Sequence, residues 1–370
     1  MIIKTSEFQE VCKSIMEAVD TSAGGITATE MLELKIVKGK LFLSVTNGSY
    51  FVTVSLGVDT DEELHAVISA NLFLQLISKI TTDTVELVAK ENVLTVKGNG
   101  SYKFPLVFDG DKLFALPELD IAEVTNSFAI SNDILQDILK YNTKELQKSG
   151  IRKPVQKMFY IDEQGALTFA SGACVNKFNL EQPVKLLLSE KVVKLFKLFN
   201  SESVRLDIGF NEIANSIIQT RIRLKNDNVE LTAITNNDDR DFSSIPVSAI
   251  RGFTTANYTN KVIFNKQAVL DALGRLSIFA KKDVVTLYTY LEFSDSKLVI
   301  YDTKKENFET IALEQSNVTE DYLCILNTND FKITLDSIKE EFVTMRFGGS
   351  KAVVFERPNI VNVLPQCKVD

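Results

Sequence analysis

The sequence has few of the residues on which catalytic or metal chemistry usually depends. Its 370 residues include a single histidine, His65, four cysteines and no tryptophan. The cysteines, Cys12, Cys174, Cys324 and Cys367, show neither a CxxC pair nor any metal-ligand spacing, and we interpret them as free thiols in a reducing compartment. A lone histidine in an acidic turn is more often structural than catalytic. The composition therefore argues against a transition-metal site and against a histidine-based enzyme.

Long apolar runs and nucleotide-binding signatures are also missing. No apolar run approaches 18 residues, and the N-terminus lacks a signal-peptide pattern. The glycines of Gly98-Asn-Gly100 lack the lysine and the spacing of a phosphate-binding loop. Asp238, Asp239 and Asp241 could hold a metal, but an exposed turn explains them better. We expect a soluble intracellular protein with no catalytic residue, no metal and no cofactor.

The charge of the chain is acidic overall, but it is unevenly distributed. The formal net charge is −8, from 41 basic and 49 acidic residues. Acidic residues concentrate in turns such as Asp59–Glu63, whereas lysines recur in the predicted helices of every part of the chain. Salt screens charges beyond about 8–10 Å, so one basic surface can attract phosphate on an acidic protein. The alternative is that these lysines are simply solvated helix faces.

A helix followed by a strand occurs three times. The segment Leu188–Asn200 places apolar residues at the spacing of an amphipathic helix, and Ser203–Ile208 then alternates as a half-buried strand. Ser189 is a suitable N-cap for this helix. The other two copies are the helices Ser69–Ile80 and Asn327–Ile338, with the strands Thr84–Val88 and Phe342–Phe347. The three copies are offset by roughly 120 and 140 residues, which corresponds to whole domains rather than to solenoid repeats.

Each of these helices has a partner helix about 60 residues upstream, with strands between the two. The partner helices are predicted at Ser6–Val19, Ser131–Leu146 and Asn265–Phe279. The segments 114–120 and 241–246, each with a nearby proline, are predicted to be extended linkers. We therefore predict an α+β protein of three tandem domains, 1–120, 121–246 and 247–370, each with two helices packed on antiparallel sheet.

Short blocks of sequence support a more specific interpretation. They are Met1–Phe8, Phe73–Ile80, Met158–Ile161, Phe169–Val175, Val192–Phe199, Lys266–Ala268, Leu298–Asp302 and Val363–Gln366. In this order, and over essentially the whole chain, they resemble the bacterial-type DNA polymerase sliding clamp, the polymerase III beta subunit, from a chromosome, a phage or a mobile element. No single block is specific, but the ordered set is.

The resemblance implies a processivity factor: a head-to-tail homodimeric ring that encircles duplex DNA without sequence specificity and lies in the cytoplasm at the nucleoid, or in the host cytoplasm if phage-encoded. Basic residues of the helices would line the pore. They are Lys13, Lys79, Lys140, Lys144, Lys148, Arg152, Lys194, Lys197, Arg275 and Lys332. Apolar residues would close the dimer. They are Phe104, Leu106, Leu273, Leu276 and Ile278.

The resemblance also implies a hydrophobic groove for short peptides of the replicative polymerase, the clamp loader and other clamp-binding proteins. Residue by residue, the groove would contain Val155, Ala170, Gly172, Ala173, Val175, Ser243, Ser350, Ala352, Val363, Leu364, Pro365 and Gln366. Small and aliphatic residues suit the leucine and phenylalanine anchors of such peptides. Two alternatives stay open from the sequence: a three-domain scaffold that encircles nothing, and an enzyme with an unrecognised site.

Overall fold

The computed structural model describes residues 1–19, 28–148, 153–213, 217–236, 239–279 and 287–368. The chain forms two compact units. The first unit contains residues 1–133 and 194–235, and the second contains residues 134–193 and 236–370. Each unit thus combines one predicted terminal domain with part of the predicted middle domain. The division into three domains stays a prediction.

The helices of the described residues are mostly short. They are α1 (Thr5–Met16), α2 (Ala70–Ile77), α3 (Asn132–Asp137), α4 (Thr143–Glu145), α5 (Glu190–Lys194), α6 (Asp239–Ser244), α7 (Val247–Thr255), α8 (Lys266–Leu276) and α9 (Thr328–Ser337). A π-helical turn (Ile138–Asn142) joins α3 to α4, and 3-10 turns occur at Ala28–Glu30, Pro154–Lys157, Leu195–Leu198 and Ser277–Phe279. None of the described helices is long and apolar enough to cross a membrane.

Strands make up most of the described regular structure. In the first half of the chain they are β1 (Ile2–Lys4), β2 (Met31–Val37), β3 (Lys40–Thr46), β4 (Tyr50–Gly57), β5 (Leu64–Ser69), β6 (Thr84–Lys90), β7 (Val93–Lys97), β8 (Ser101–Pro105), β9 (Phe108–Asp109), β10 (Lys112–Leu113), β11 (Glu123–Ser131), β12 (Met158–Asp162), β13 (Gly165–Phe169), β14 (Ala173–Lys177) and β15 (Lys185–Ser189). In the second half they are β16 (Ser203–Ile213), β17 (Ile217–Lys225), β18 (Val229–Ile234), β19 (Asn260–Asn265), β20 (Tyr288–Phe293), β21 (Lys297–Tyr301), β22 (Phe308–Ala312), β23 (Gln315–Ser316), β24 (Tyr322–Asn327), β25 (Phe342–Phe347), β26 (Ala352–Glu356) and β27 (Ile360–Pro365).

The first unit consists of antiparallel sheet with two helices packed against it. Among its described residues, the strand orders are β1-β6-β7-β8, β10-β9 and β11-β16-β17-β18-β4-β3-β2-β5. Phe8, Cys12 and Ile15 repeat at helical spacing along α1 and are buried, and the Phe8 ring meets Phe73 of α2 edge to face at 6.0 Å. Pairing of β18 with β4 makes one continuous sheet from strands of the predicted first and middle domains.

The second unit is also antiparallel sheet with helices packed against it, and it contains more helices than the first. Its described strands run in the orders β15-β12-β13-β14-β27-β26-β25-β19-β23 and β22-β21-β20-β24. Asn265 and Asn327 cap α8 and α9, because each side-chain oxygen accepts the backbone N–H three residues on at 3.0 Å. Pairing of β14 with β27 joins strands of the predicted middle and last domains.

The predicted helices are present but shorter, and one predicted linker is wrong. The helix predicted at 131–146 changes to π-helical pairing at Ile138–Asn142, and the helix predicted at 188–200 tightens to a 3-10 turn after Lys194. Residues 114–120, predicted to be an extended linker, form neither helix nor strand. Residues 241–246, predicted to be extended, lie in and just after α6, and α7 follows directly. Apolar side chains of this segment pack on a sheet, and that burial outweighs the local linker signal.

A buried carboxylate ties three strands of the first unit together. Asp207 is 1% exposed and accepts hydrogen bonds from Ser127 Oγ at 2.6 Å, Arg205 Nε at 2.8 Å and the Arg223 guanidinium at 2.8 and 3.1 Å. Burial alone would raise the pKa of Asp207, but these donors outweigh it and hold the pKa below its usual value. The charged form is therefore the one that stabilises β11, β16 and β17.

We predict that Asp207→Asn lowers the free energy of unfolding at pH 7 by about 1.5–3 kcal/mol, the range for hydrogen bonds to charged groups. Since the pKa is lower in the folded state, this stabilisation is present above the unfolded pKa of about 3.9 and is lost as the pH falls through the folded value. Urea unfolding of the wild type and of Asp207→Asn at pH 7 and pH 3 measures this difference in the free energy of unfolding. A stability difference that does not shrink at pH 3 would contradict this account.

Candidate functional site

Basic side chains of the first unit gather around the ends of two helices. Lys13 of α1 and Lys79, just after α2, are exposed and line the same groove between these helices. Lys197 is exposed, and its Nζ lies 2.6 Å from Glu17 Oε2, directly after α1. Lys194 is exposed one turn earlier than Lys197. An exposed ion pair is worth about 0–1 kcal/mol, so Lys197 can exchange Glu17 for a phosphate at low cost.

The second unit has a comparable basic group on the π-helical turn and the neighbouring helix end. The Lys140 ammonium lies 4.0 Å from the centre of the Tyr141 ring, and the Arg357 guanidinium lies 4.6 Å from the same ring. The pKa of Lys339 is lowered, because the Lys140 ammonium lies beside it. Like charges held together favour an anion between them. The sequence analysis did not include Lys339 or Arg357 in the predicted pore set, since no local pattern places Lys339 beside Lys140 or Arg357 over the Tyr141 ring.

The remaining predicted pore residues have different environments. Lys144 and Lys332 are partly exposed on α4 and α9. Lys148 is buried, with its Nζ 2.6 Å from Glu145 Oε2, so its assignment to a phosphate contact is corrected. Arg275 of α8 forms a two-point ion pair with Glu309 of β22 at 2.6 and 2.7 Å, which occupies its guanidinium. Arg152 lies outside the described residues.

The predicted groove residues divide between the two faces of one sheet. Ala173, Val175, Ala352 and Val363, on β14, β26 and β27, share a face and are 2–5% exposed; we call them the floor. Val155 packs on the same side. Leu364 instead packs in the core on the opposite face, because side chains alternate along a strand, and its assignment to the groove is corrected.

The other predicted groove residues lie at the margin of the floor. Ala170 and Gly172 form the turn between β13 and β14, where the Ala170 N–H donates to the Gly172 carbonyl oxygen at 2.9 Å. The Gln366 side-chain amide donates to the Ser350 carbonyl oxygen at 3.1 Å. Ser243 and Pro365 are exposed, on α6 and at the end of β27. The structure thus brings together most of the predicted set.

The floor is covered by the chain's own segment 242–258. Phe242, Ile245 and Ile250 are 6–9% exposed and pack against the floor, with Tyr258 in the same cluster. Arg251 of α7 binds the Asp162 carboxylate at two points, 2.6 and 2.8 Å, which fixes α7 to the end of β12. The expected open groove is therefore closed by helix in this structure, because the segment predicted to be an extended linker folds over it.

Solved structures with the same architecture come from bacterial replication proteins. The chain aligns over its full length with 99% of the DNA polymerase sliding clamp from Bacillus subtilis, at 15% identity and a TM-score of 0.76. The sliding clamp from Pseudomonas aeruginosa bound to griselimycin aligns at 12% identity and a TM-score of 0.79, over all of this chain and 99% of that one. The Helicobacter pylori beta clamp bound to a DNA ligase peptide aligns at 14% identity and a TM-score of 0.75, over all of this chain and 99% of that one. No protein-family model and no curated protein matches the sequence. The chain has the sliding-clamp fold.

The chain has apolar residues at the edge strand β8 of the first unit and near the edge strand β22 of the second. In the first unit β8 is an edge strand, where Phe104 and Leu106 are partly buried and the Phe104 ring packs on Phe73 at 5.4 Å. In the second unit Leu273 and Leu276 are 2% and 6% exposed within the core, which corrects their assignment as contact residues.

Ile278, the remaining predicted dimer residue, is 78% exposed directly after α8. Phe308 on the edge strand β22 is 61% exposed, and the sequence analysis missed it. The signal that could have identified it is an aromatic residue at the start of the short run Phe308-Glu-Thr-Ile311. Ile278 and Phe308 are thus two exposed apolar candidates of this unit for contact with a second copy, and Phe279, beside Ile278, is 58% exposed.

Gly172 permits the close approach of two strands at the margin of the floor. A Cβ atom there would lie 2.3 Å from the Val363 carbonyl oxygen and 2.9 Å from Leu364 Cδ2. We predict that Gly172→Ala lowers the free energy of unfolding by about 1–3 kcal/mol through overpacking. Thermal unfolding, monitored by circular dichroism, measures this loss of stability. Gly57→Ala is the matched control, because a Cβ atom at Gly57 meets nothing within 4 Å. Equal shifts for both variants would refute the steric argument.

Proposed function

We propose that this protein is a DNA polymerase processivity factor, a sliding clamp that encircles duplex DNA as a head-to-tail dimer and tethers polymerase and other replication proteins. The observation that supports it best is full-length similarity to sliding clamps at TM-scores of 0.76–0.79. The fold alone does not fix the function, so the proposal also depends on the basic groups of both units and on the two apolar edges. It requires no catalytic group, in keeping with the composition.

The proposed hold on DNA is topological, so the lysines need only weak and sequence-independent phosphate contacts. Lys13, Lys79, Lys194 and Lys197 in the first unit, and Lys140, Lys144, Lys332 and Lys339 in the second, provide this charge. The net charge of −8 keeps the outer surface from competing for DNA. Strong base contacts would stop the ring from sliding, and the exposed ion pair at Lys197 suits a contact that is repeatedly made and released.

Charge reversal on the first-unit basic group tests the DNA contact. We predict that Lys194→Glu with Lys197→Glu weakens binding of a short duplex at low salt. Because each phosphate contact contributes about 0.9 to the dependence of log K on log salt, the slope should fall by about two. Fluorescence anisotropy across a salt series measures both quantities, and Glu17→Gln, which removes the carboxylate paired with Lys197, should strengthen binding.

The matched control reverses two exposed strand lysines, Lys90 and Lys112, which leaves the total change in charge the same. If this control lowers affinity as much as the helix variant does, the effect is one of net charge and the proposed pore face is wrong. Circular dichroism of each variant verifies that it remains folded.

Exposed apolar residues at the second-unit edge test ring closure. We predict that Ile278→Asp with Phe308→Asp converts a dimer to a monomer in sedimentation velocity, since a charged carboxylate cannot be buried unpaired in an interface. The control is Ile218→Asp, where the side chain is 67% exposed on β17, an interior strand between β16 and β18. Negative-stain electron microscopy should show closed rings for the wild type and the control. Open crescents or monomers in the wild type would favour a scaffold that encircles nothing.

A further inference from the structure

Three hydrogen-bond donors meet at the π-helical turn of the second unit. The Lys140 ammonium donates to the Tyr141 hydroxyl oxygen, and the Lys339 ammonium lies beside that of Lys140. An ammonium group has only donors, so the hydroxyl oxygen accepts from Lys140 and its own proton is left for another acceptor. Within the described part of the chain, these three donors have no acceptor other than the Tyr141 oxygen itself.

The turn that carries two of these donors is held in place from below. Asn142 is fully buried, and its side-chain amide donates to the Cys174 carbonyl oxygen at 3.1 Å. The Thr168 hydroxyl donates to the Asn142 carbonyl oxygen at 3.0 Å. Tyr141 is 8% exposed, so its ring is fixed by packing. The hydroxyl therefore has a set position before any ligand binds, at a type of turn that is rare and often functional.

Arg357 adds a third positive charge and connects the ring to the segment that carries Lys339. Its guanidinium lies 4.6 Å from the centre of the Tyr141 ring. One of its terminal nitrogens donates to the Ser337 carbonyl oxygen at 3.3 Å, and the other donates to the Asn362 side chain. Ser337 ends α9, two residues before Lys339. Arg357 thus orients both parts of the cluster without offering a free terminal nitrogen of its own.

Protonation leaves the cluster able to donate but short of negative charge. Burial raises the pKa of Tyr141, and the carboxylates of Asp137 and Glu340, which face the cluster, add to this effect. The hydroxyl therefore keeps its proton at neutral pH. The Lys140 ammonium lowers the pKa of Lys339, because like charges repel. An oxyanion bound between the two lysines would relieve that repulsion.

We propose that Lys140, Tyr141 and Lys339 form a binding site for one phosphate group with three terminal oxygens, supplied by inorganic phosphate or by the terminal phosphate of a nucleic-acid strand. Three separate donors match three terminal oxygens, whereas a phosphodiester of the duplex backbone offers only two. Arg357 is a positioning residue that supplies charge without touching the ligand. The site goes beyond the proposed function, since it does not require the chain to encircle DNA.

Thermal unfolding of the full chain in inorganic phosphate tests the site, with chloride keeping the ionic strength constant. Phosphate should raise the Tm of the wild type and the rise should saturate, because a ligand that binds the folded state stabilises it. Tyr141→Phe keeps the ring but removes the hydroxyl, so it should weaken the apparent phosphate affinity about tenfold or more, as expected for one hydrogen bond to a charged group. Tyr301→Phe is the matched control, because the Tyr301 hydroxyl donates to Glu292 instead, and it should leave the affinity unchanged.

Lys339→Gln should have two effects that a merely structural lysine would not show together. Without phosphate, the loss of repulsion from Lys140 should leave the Tm equal to that of the wild type or higher. With phosphate, most of the rise in Tm should be lost. Lys339 is exposed, so this variant should fold even if Tyr141→Phe does not. Lys297→Gln, at an exposed lysine on β21, is the control and should change neither result.

The absence of a saturable rise in the wild type would overturn the proposal. An equal rise in the wild type and in Lys339→Gln would overturn it as well, because the phosphate would then bind elsewhere.

Two duplexes of the same sequence, one with a 5′ phosphate and one with a 5′ hydroxyl, distinguish the sources of the phosphate. Tighter binding of the phosphorylated duplex in fluorescence anisotropy, lost in Lys339→Gln, would identify a strand end. Equal binding of both duplexes, with a saturable phosphate effect on Tm that Lys339→Gln removes, would identify free phosphate. Equal binding with no phosphate effect would mean that these lysines act only as diffuse charge, and the site would be refuted. The Lys194 and Lys197 variants test the proposed function separately, so the two failures can be told apart.

Discussion

Strand pairing between β14 and β27 is the constraint on which the second unit depends. Ala173 pairs with Val363 and Val175 pairs with Val361, so strands nearly 190 residues apart in sequence become neighbours in one sheet. That pairing fixes which residues share a face. It assigns the floor to one side and Leu364 to the other, and it brings the turn at Gly172 against the backbone of β27.

The same constraint explains why a linker became a helix. A sheet whose strands are apolar at consecutive positions needs cover on both faces, since exposed apolar area is unfavourable by about 25 cal/mol per Å². Residues 242–258 supply this cover with Phe242, Ile245 and Ile250. Burial of the floor thus stabilises a helix in a segment that has low helix propensity of its own. The helix is stable because it packs on the floor.

The basic residues of the two units differ in whether they are already paired with carboxylates. Basic residues gather at helix ends, yet several of them already have partners: Lys197 with Glu17, Arg275 with Glu309 and Lys148 with Glu145. The exposure of each ion pair indicates what the basic residue can do. The buried Lys148–Glu145 pair stabilises the structure and the two-point pair occupies Arg275, whereas the exposed Lys197 can exchange Glu17 for another anion. An exchangeable pair of this kind in an acidic protein suits weak contact with a polyanion better than tight binding.

The sequence by itself determined the α+β class, the sites of the main helices, and the clamp-type order of its elements. The class and the helix positions follow from local periodicity: Phe8, Cys12 and Ile15 repeat at helical spacing, and the strand after Asn200 alternates. The clamp-type order follows from the resemblance of short sequence blocks to the clamp family. Only the tertiary structure decided that Lys148, Leu273 and Leu276 are buried, that Lys339 lies beside Lys140, and that α7 covers the floor. Burial and charge proximity depend on contacts between residues distant in sequence, and a local pattern carries no information about which distant residues those will be.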